Sequence, residues 1–177
     1  MTAATIAACL ALGALAGTLA GLLGIGGGIV IVPGLAAVLA EGGVAPERLM
    51  QVAVGTSLAT IVATAGAAIR AHQRRGAVRW SLVARLGPGV AVGAAAGTVV
   101  ADALATRTLA AVFGLFLIAV AARLAWPRAP TPARGLPGRV VLAAWGSAIG
   151  GVASLLGIGG GTLTVPLLAW CNVDLRQ

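Results

Sequence analysis

Leu22-Leu23-Gly24-Ile25-Gly26-Gly27-Gly28, with Val32-Pro33 shortly after it, is the stretch on which the reading of this chain turns. It returns as Leu155-Leu156-Gly157-Ile158-Gly159-Gly160-Gly161, followed by Val165-Pro166. The internal spacing is the same in both copies. The match continues into the flanks, pairing Gly17 with Gly150, Ala20 with Ala153, Leu35 with Leu168 and Ala36 with Ala169. One such match can arise by chance in an apolar, glycine-rich chain. Two extended matches predict an internal duplication.

Each copy interrupts a hydrophobic segment. A glycine in a helix interior costs about 1 kcal/mol relative to alanine, so three in a row predict a break. In lipid the freed backbone groups still need partners, which places the break against protein or a water-filled cavity. The residues after the first break, Ile29 to Leu39, are expected to restart a helix whose N-terminus carries free N–H groups and the positive dipole end. Glycine also lets a ligand approach that backbone closely. Discontinuous helices at corresponding places in two repeats point to an ion or anion site in transporters. The competing reading is that these glycines only permit close helix packing.

Composition sets the class. The chain is 59% hydrophobic and 9% charged, with a mean hydropathy of +1.04. The apolar residues fall in several long runs, which predicts a polytopic membrane protein. The formal charge of +8 does not read as nucleic-acid binding. The arginines sit in short loops between apolar spans, and aromatic residues for base stacking are not interleaved with them. Cys9 and Cys171 lie in or beside apolar runs and offer neither a disulfide framework nor metal spacing. The apolar start, Thr2 to Leu23, has no Lys or Arg before it, so it reads as a retained membrane helix rather than a signal peptide.

In chain order, a first broken segment runs from about Ala3 to Leu39, longer than the ~20 residues of a simple span. Gly13, Gly17 and Gly21 line one of its faces with small groups for helix contact. A second span, Leu49 to Ile69, carries Gly55-Thr56-Ser57, then Thr60 and Thr64, either as a polar lining or with hydroxyls bonded back to their own helix. A third, Trp80 to Val100, repeats the small-residue spacing at Gly89, Gly93 and Gly97. A fourth runs from Thr108 to Trp126. A fifth starts near Val140 and passes through the second glycine stretch to Trp170.

The organisation expected is therefore a first repeat of about four spans over residues 1–126, a basic linker over 127–139 and the start of a second repeat over 140–177. The closing residues Asn172–Gln177 resemble those from Pro46 to Gln51, so a partial chain is expected. Loops 70–79 and 127–139 are rich in arginine and should be cytoplasmic. His72 reads as a polar loop residue. The N-terminus is inside if the first segment crosses once and outside if it crosses twice.

Enzymatic chemistry has little to work with. The glycine stretch lacks the Lys-Ser or Lys-Thr of a phosphate-binding loop, and Ile31 stands where a dinucleotide fingerprint needs its third glycine. There are no paired carboxylates within a span, and a single histidine. No catalytic residue, metal site or cofactor is assigned.

The duplicated Leu-Leu-Gly-Ile-Gly-Gly-Gly with proline after it resembles the repeated signature of the TauE/SafE membrane transporters. So do Val54-Gly55-Thr56-Ser57, Arg74-Arg75-Gly76 before Trp80, and the Gly93/Gly97 pair. The resemblance covers essentially the whole chain in order. It implies an integral membrane protein of the bacterial inner membrane that moves small sulfur-containing anions, of the sulfite or organosulfonate class.

The expected fold is all-α, a polytopic transmembrane helix bundle with two repeats, each opening with a glycine-broken helix. The candidate substrate-binding residues are Gly24, Gly26, Gly27 and Gly28 in the first copy, Thr56 and Ser57 in the second span, and Gly157, Gly159, Gly160, Gly161 and Thr162 in the second copy. The backbone N–H groups would face the anion and the hydroxyls would donate to it, with both breaks opening on one polar cavity near mid-membrane. The expected partners are the lipid bilayer and the anion, with a homo-oligomer left open and no nucleic acid. The alternative is a non-transporting membrane scaffold or assembly protein whose glycine repeats only pack helices.

Overall fold

The computed structural model describes residues 3–23, 27–76, 78, 80–125, 138–161 and 164. Among them are six helices and no strand: α1 (Ala3–Leu23), α2 (Gly28–Glu41), α3 (Leu49–Arg74), α4 (Trp80–Ala103), α5 (Thr106–Ala125) and α6 (Arg139–Leu156). The all-α helix bundle expected from the apolar runs is what the chain forms. Helices α3 and α4 are each long and apolar enough to cross a membrane. Large apolar side chains stand exposed around the outside, among them Leu10, Val62, Val92, Leu115 and Val140. Such a surface suits hydrocarbon and would promote association in water.

The first broken segment differs from a single interrupted span. In line, Leu12 and Gly34 would lie about 33 Å apart at 1.5 Å per residue. Instead a Cβ placed on Gly34 would meet the Leu12 side chain, with Cδ2 at 2.8 Å, and one on Gly27 would lie 3.7 Å from the Ala20 Cβ. So α1 and α2 are antiparallel arms of a hairpin with the glycine stretch at its tip. The arms are unequal. At 14 residues, α2 rises only about 21 Å, short of the ~30 Å hydrocarbon layer.

Short connections and shared contacts fix the other directions. The turn over residues 42–48 returns the chain from α2 into α3, and Val32 and Leu35 of α2 join Met50 and Val54 of α3 in one buried cluster. The Gln51 side chain, in the first turn of α3, donates from Nε2 to the Leu104 carbonyl at 2.7 Å. The Thr106 hydroxyl lies 2.8 Å from Gln51 Oε1. The α4–α5 turn therefore sits at the same end of the bundle as the start of α3, and α4 runs opposite to α3. The basic residues Arg70, His72 and Arg74 belong to the last turns of α3 rather than to a loop. The arginine charge at Arg74 faces the negative end of the helix dipole, which favours helix at that end.

Helices α4 and α6 form the closest pair, and their glycines are the reason. A Cβ on Gly89 would meet Ala143, with Cα at 3.0 Å; one on Gly93 would meet Ser147, with Cα at 2.7 Å; one on Gly97 would meet Gly151, with Cα at 2.9 Å. The partner residue advances along α6 as the glycine advances along α4, so the two helices are parallel. Gly146 and Gly150 return the contact, a Cβ on the latter lying 3.0 Å from the Ala94 nitrogen. The buried Ser154 hydroxyl donates across to the Ala94 carbonyl at 2.9 Å. Small residues let the backbones approach, and dispersion and polar contacts then supply the association that lipid does not.

The same spacing on α1 has another outcome. Gly13, Gly17 and Gly21 have nothing within 4 Å of an added Cβ. The packing expected of that face is not made with any described residue.

Candidate functional site at the junction of the two glycine breaks

Helix α1 ends at Leu23 and α6 at Leu156; α2 starts at Gly28, and helix resumes at Gly161. The two breaks thus interrupt the chain at corresponding residues. They also meet in space. A Cβ on Gly28 would strike the Gly157 carbonyl oxygen and lie 2.7 Å from the Ile158 Cα. The helices that carry the breaks approach from opposite ends. Since α1 opposes α2, α2 opposes α3, α3 opposes α4 and α4 is parallel to α6, α1 and α6 run in opposite directions.

Gly157 ends α6 with φ +66 and ψ 26, the left-handed conformation usual for glycine just past a helix. Its nitrogen bonds back to Ser154 O and the Ile158 nitrogen to Ala153 O at 2.9 Å. It is wedged between α2 and α3, where a Cβ would lie 3.0 Å from both Val32 Cγ2 and the Val54 Cα. The Ser57 hydroxyl, fully buried on α3, donates to the Gly157 carbonyl at 2.7 Å. Ser57 lies about 12 Å of helix rise from the start of α3, well inside a hydrocarbon layer.

The arrangement corrects two details of the expected site. The breaks meet backbone to backbone at Gly28 and Gly157–Ile158, so at this point there is a close-packed contact rather than a shared cavity. The single O–H of Ser57 is committed to Gly157, so it is not the free donor expected for an anion. Thr56 stands on the exposed flank of α3 and donates to the Val52 carbonyl at 2.7 Å. Thr60 and Thr64 likewise bond back along α3, at 2.7 Å to Ser57 O and 3.0 Å to Thr60 O. The threonine stripe is thus satisfied by its own helix.

Gly27 precedes α2 without a side-chain cap. Its φ of −54 is ordinary, and an added Cβ would meet only normal contacts, the nearest being Ile31 Cδ1 at 3.4 Å. Among the described residues, an added Cβ on Gly159 or Gly161 would meet nothing within 4 Å, and one on Gly160 would meet Ile149 Cγ2 at 3.8 Å and Thr164 Oγ1 at 3.9 Å. Gly24, Gly26 and Thr162 lie outside the described residues, as does the linker at 126–137. What the junction offers chemically is backbone polarity. The first turn of α2 brings the positive end of its dipole beside the second break, with the Val30 and Ile31 N–H groups already bonded to Gly27 O. Arg70 and Arg74 of α3, Arg85 of α4 and Arg107 of α5 are exposed.

Sequence reasoning named Val32, Val54 and Ile158, which pack at the junction, only as parts of motifs and not as site residues, and it passed over Ser154, which ties α6 to α4 just before the break. Ser154 carried a signal, since it replaces Gly21 of the first copy in the repeated register. Gln51 was a second signal, a polar side chain in the first turn of an apolar span.

A sequence model of the sulfite exporter TauE/SafE matches residues 9–177. The chain belongs to the TauE/SafE family. The family is one of membrane transporters, and the chain is accordingly a membrane-embedded protein. It is 34% identical over 177 residues to a probable membrane transporter protein of Haemophilus influenzae, a match covering 96% of this chain and 64% of the relative. It is 30% identical over 178 residues to the probable membrane transporter protein YunE of Bacillus subtilis, covering 89% of this chain and 64% of that protein. The TauE/SafE chain described here therefore spans less than two thirds of the length of these relatives. No solved structure matches it.

Proposed function

We propose that this TauE/SafE chain forms the first repeat and the opening of the second in a bacterial inner-membrane transporter of small sulfur-containing anions, of the sulfite or organosulfonate class. The observation that carries the reading is the contact of Gly28 with Gly157 and Ile158. It brings together two helix breaks that approach from opposite ends of the bundle. Helix N-termini attract anions through unpaired N–H groups and the dipole, each contributing about 0.3–1 kcal/mol when exposed and up to about 2 kcal/mol when partly buried. A site built from such terms holds an anion loosely enough to release it.

In this reading the arginine-rich end, residues 70–79 and 127–139, faces the cytoplasm. The hairpin of α1 and α2 then places both the start of α1 and the turn over 42–48 on the outer side. Helix α6 starts from the inner side, which gives the two breaks the inverted arrangement seen in secondary transporters. The bilayer is the partner throughout.

The test is flux in proteoliposomes made from a protein of the relatives' full length that contains this sequence. Entry of radiolabelled sulfite or a small sulfonate, lost on Gly28→Ala with membrane insertion retained, is the expected result. Protein that inserts, stays folded and moves none of these anions would leave the scaffold reading in its place.

A further inference from the structure

The fold sorts the charges of this chain. The described carboxylates Glu41, Glu47 and Asp102 lie in the last turn of α2, the turn before α3 and the last turn of α4, all at one end of the bundle, which Arg48 and Arg107 share. Arg70 and Arg74 lie in the last turns of α3, Arg75 caps it, and Arg85 stands early in α4, at the other end. Over its 26 residues α3 rises about 39 Å, so the described carboxylates cannot reach these arginines.

Their faces matter as much as their level. Met50, Ala53, Val54 and Ser57 mark the buried side of α3. Continued about five turns from Val54, that side arrives at His72. Arg70 instead lies about five turns beyond Val52, which is 39% exposed, and Arg74 follows about one turn later. On α4, Gly89, Gly93 and Gly97 make the seam with α6. Arg85 stands off that seam, about two turns before Val92 and four before Val99, which are 68% and 70% exposed. Arg70 and Arg85 each end a line of outward-facing apolar side chains.

We infer that Arg70, Arg74 and Arg85 form a binding surface for the phosphate headgroups of anionic phospholipids. Arg70 sits about 6 Å of helix rise inside the end of α3, and Arg85 about 8 Å inside the start of α4. From there a long arginine side chain lays its stem along apolar surface and carries its charge up to the headgroups. The guanidinium fork suits phosphate oxygens and stays charged at any working pH. Ile69 and Val83, 49% and 48% exposed, stand near these arginines along the chain, and Trp80, 54% exposed, starts α4 as an aromatic at the membrane interface does. Cations interleaved with exposed apolar groups fit an amphiphile better than a soluble anion. The outward register also separates this surface from the junction at Gly28 and Gly157, so it does not depend on what the junction carries.

The test is native mass spectrometry of the 177-residue chain released from dodecyl maltoside micelles. The micelles hold equal amounts of phosphatidylglycerol and phosphatidylcholine with the same acyl chains. Phosphatidylglycerol adducts should dominate. Their excess should fall by up to about fivefold with each of Arg70→Gln, Arg74→Gln and Arg85→Gln, measured singly. Arg107→Gln, the same change at the acidic end, should leave the excess as it is. All four side chains are exposed, so the variants should keep the helical circular dichroism of the parent. Glycerophosphoglycerol, the same headgroup without acyl chains, should not displace the lipid. Equal adducts of the two lipids, or an excess indifferent to all three substitutions, overturns the inference. So does an equal loss with Arg107→Gln, which would report net charge alone, or displacement by the soluble headgroup, which would report a site for free phosphates.

Discussion

The Ser57 hydroxyl reaches the carbonyl oxygen of Gly157 at 2.7 Å, joining α3 to the break that ends α6 across 100 positions of sequence. The bond gives a partner to the carbonyl of Gly157, the left-handed residue just past the end of α6. Ser57→Ala should leave that carbonyl unpaired in a dry place. The expected loss is about 1 kcal/mol, between the average for hydrogen bonds inside membranes and the cost of a buried unpaired group in water. Thr56→Ala removes a bond made only to its own helix and should stay within about 0.5 kcal/mol of the parent. Unfolding in mixed micelles by added SDS measures both. Equal effects of the two would argue against the junction as described.

Gly28 and Gly27 are adjacent and should respond differently. An added methyl on Gly28 runs into the Gly157–Ile158 backbone, which cannot swing aside as a side chain would. Gly28→Ala should separate the breaks and abolish transport in a full-length protein. Gly27→Ala meets contacts no closer than 3.4 Å and should retain most of the flux. A proteoliposome assay on the two variants side by side decides it, and an inactive Gly27→Ala beside an active Gly28→Ala would reverse the assignment.

Gly157→Ala combines two penalties. The left-handed backbone costs an alanine about 1–2 kcal/mol, and its methyl would crowd Val32 and the Val54 backbone at 3.0 Å. A loss of at least ~2 kcal/mol is expected in the same SDS titration, larger than for Ser57→Ala. Gly159→Ala, whose added methyl would meet no described residue within 4 Å, should be mild.

The parallel pairing of α4 with α6 predicts that Gly93→Leu prevents assembly, because a leucine there displaces the Ser147 backbone. Overpacking of this kind costs about 1–3 kcal/mol even where neighbours can move. Val99→Leu on the same helix should be silent, since Val99 is 70% exposed. Yield of monodisperse protein after detergent extraction reads the difference; a well-behaved Gly93→Leu would refute the tight seam.

Sidedness can be checked with single cysteines at Gln73 and Ala45 in a background lacking Cys9 and Cys171. Both positions are exposed and lie at opposite ends of α3. In intact cells an impermeant maleimide should label Ala45→Cys and spare Gln73→Cys. The converse pattern would invert the orientation.

The sequence by itself determined what depends on local chemistry. Runs of apolar residues without charge set the helices and their membrane setting. Closely spaced glycines weaken a helix, because the backbone there loses much conformational freedom on folding; α6 accordingly stops at Leu156, and helix resumes at Gly161. The seam at Gly89, Gly93 and Gly97 was equally legible, as was the nearness of Ser57 to a break.

The tertiary structure decided everything that required a partner. Gly13, Gly17 and Gly21 have the same spacing as the α4 glycines and remain open, since a small face is only permission for a helix to approach. The turn at the first break could have continued one span or reversed it, and the seating of Leu12 on Gly34 made it a hairpin. Thr56 and Ser57 read as equivalent hydroxyls, yet one helical step put Thr56 on the exposed flank and Ser57 under Gly157, where its single proton is already taken.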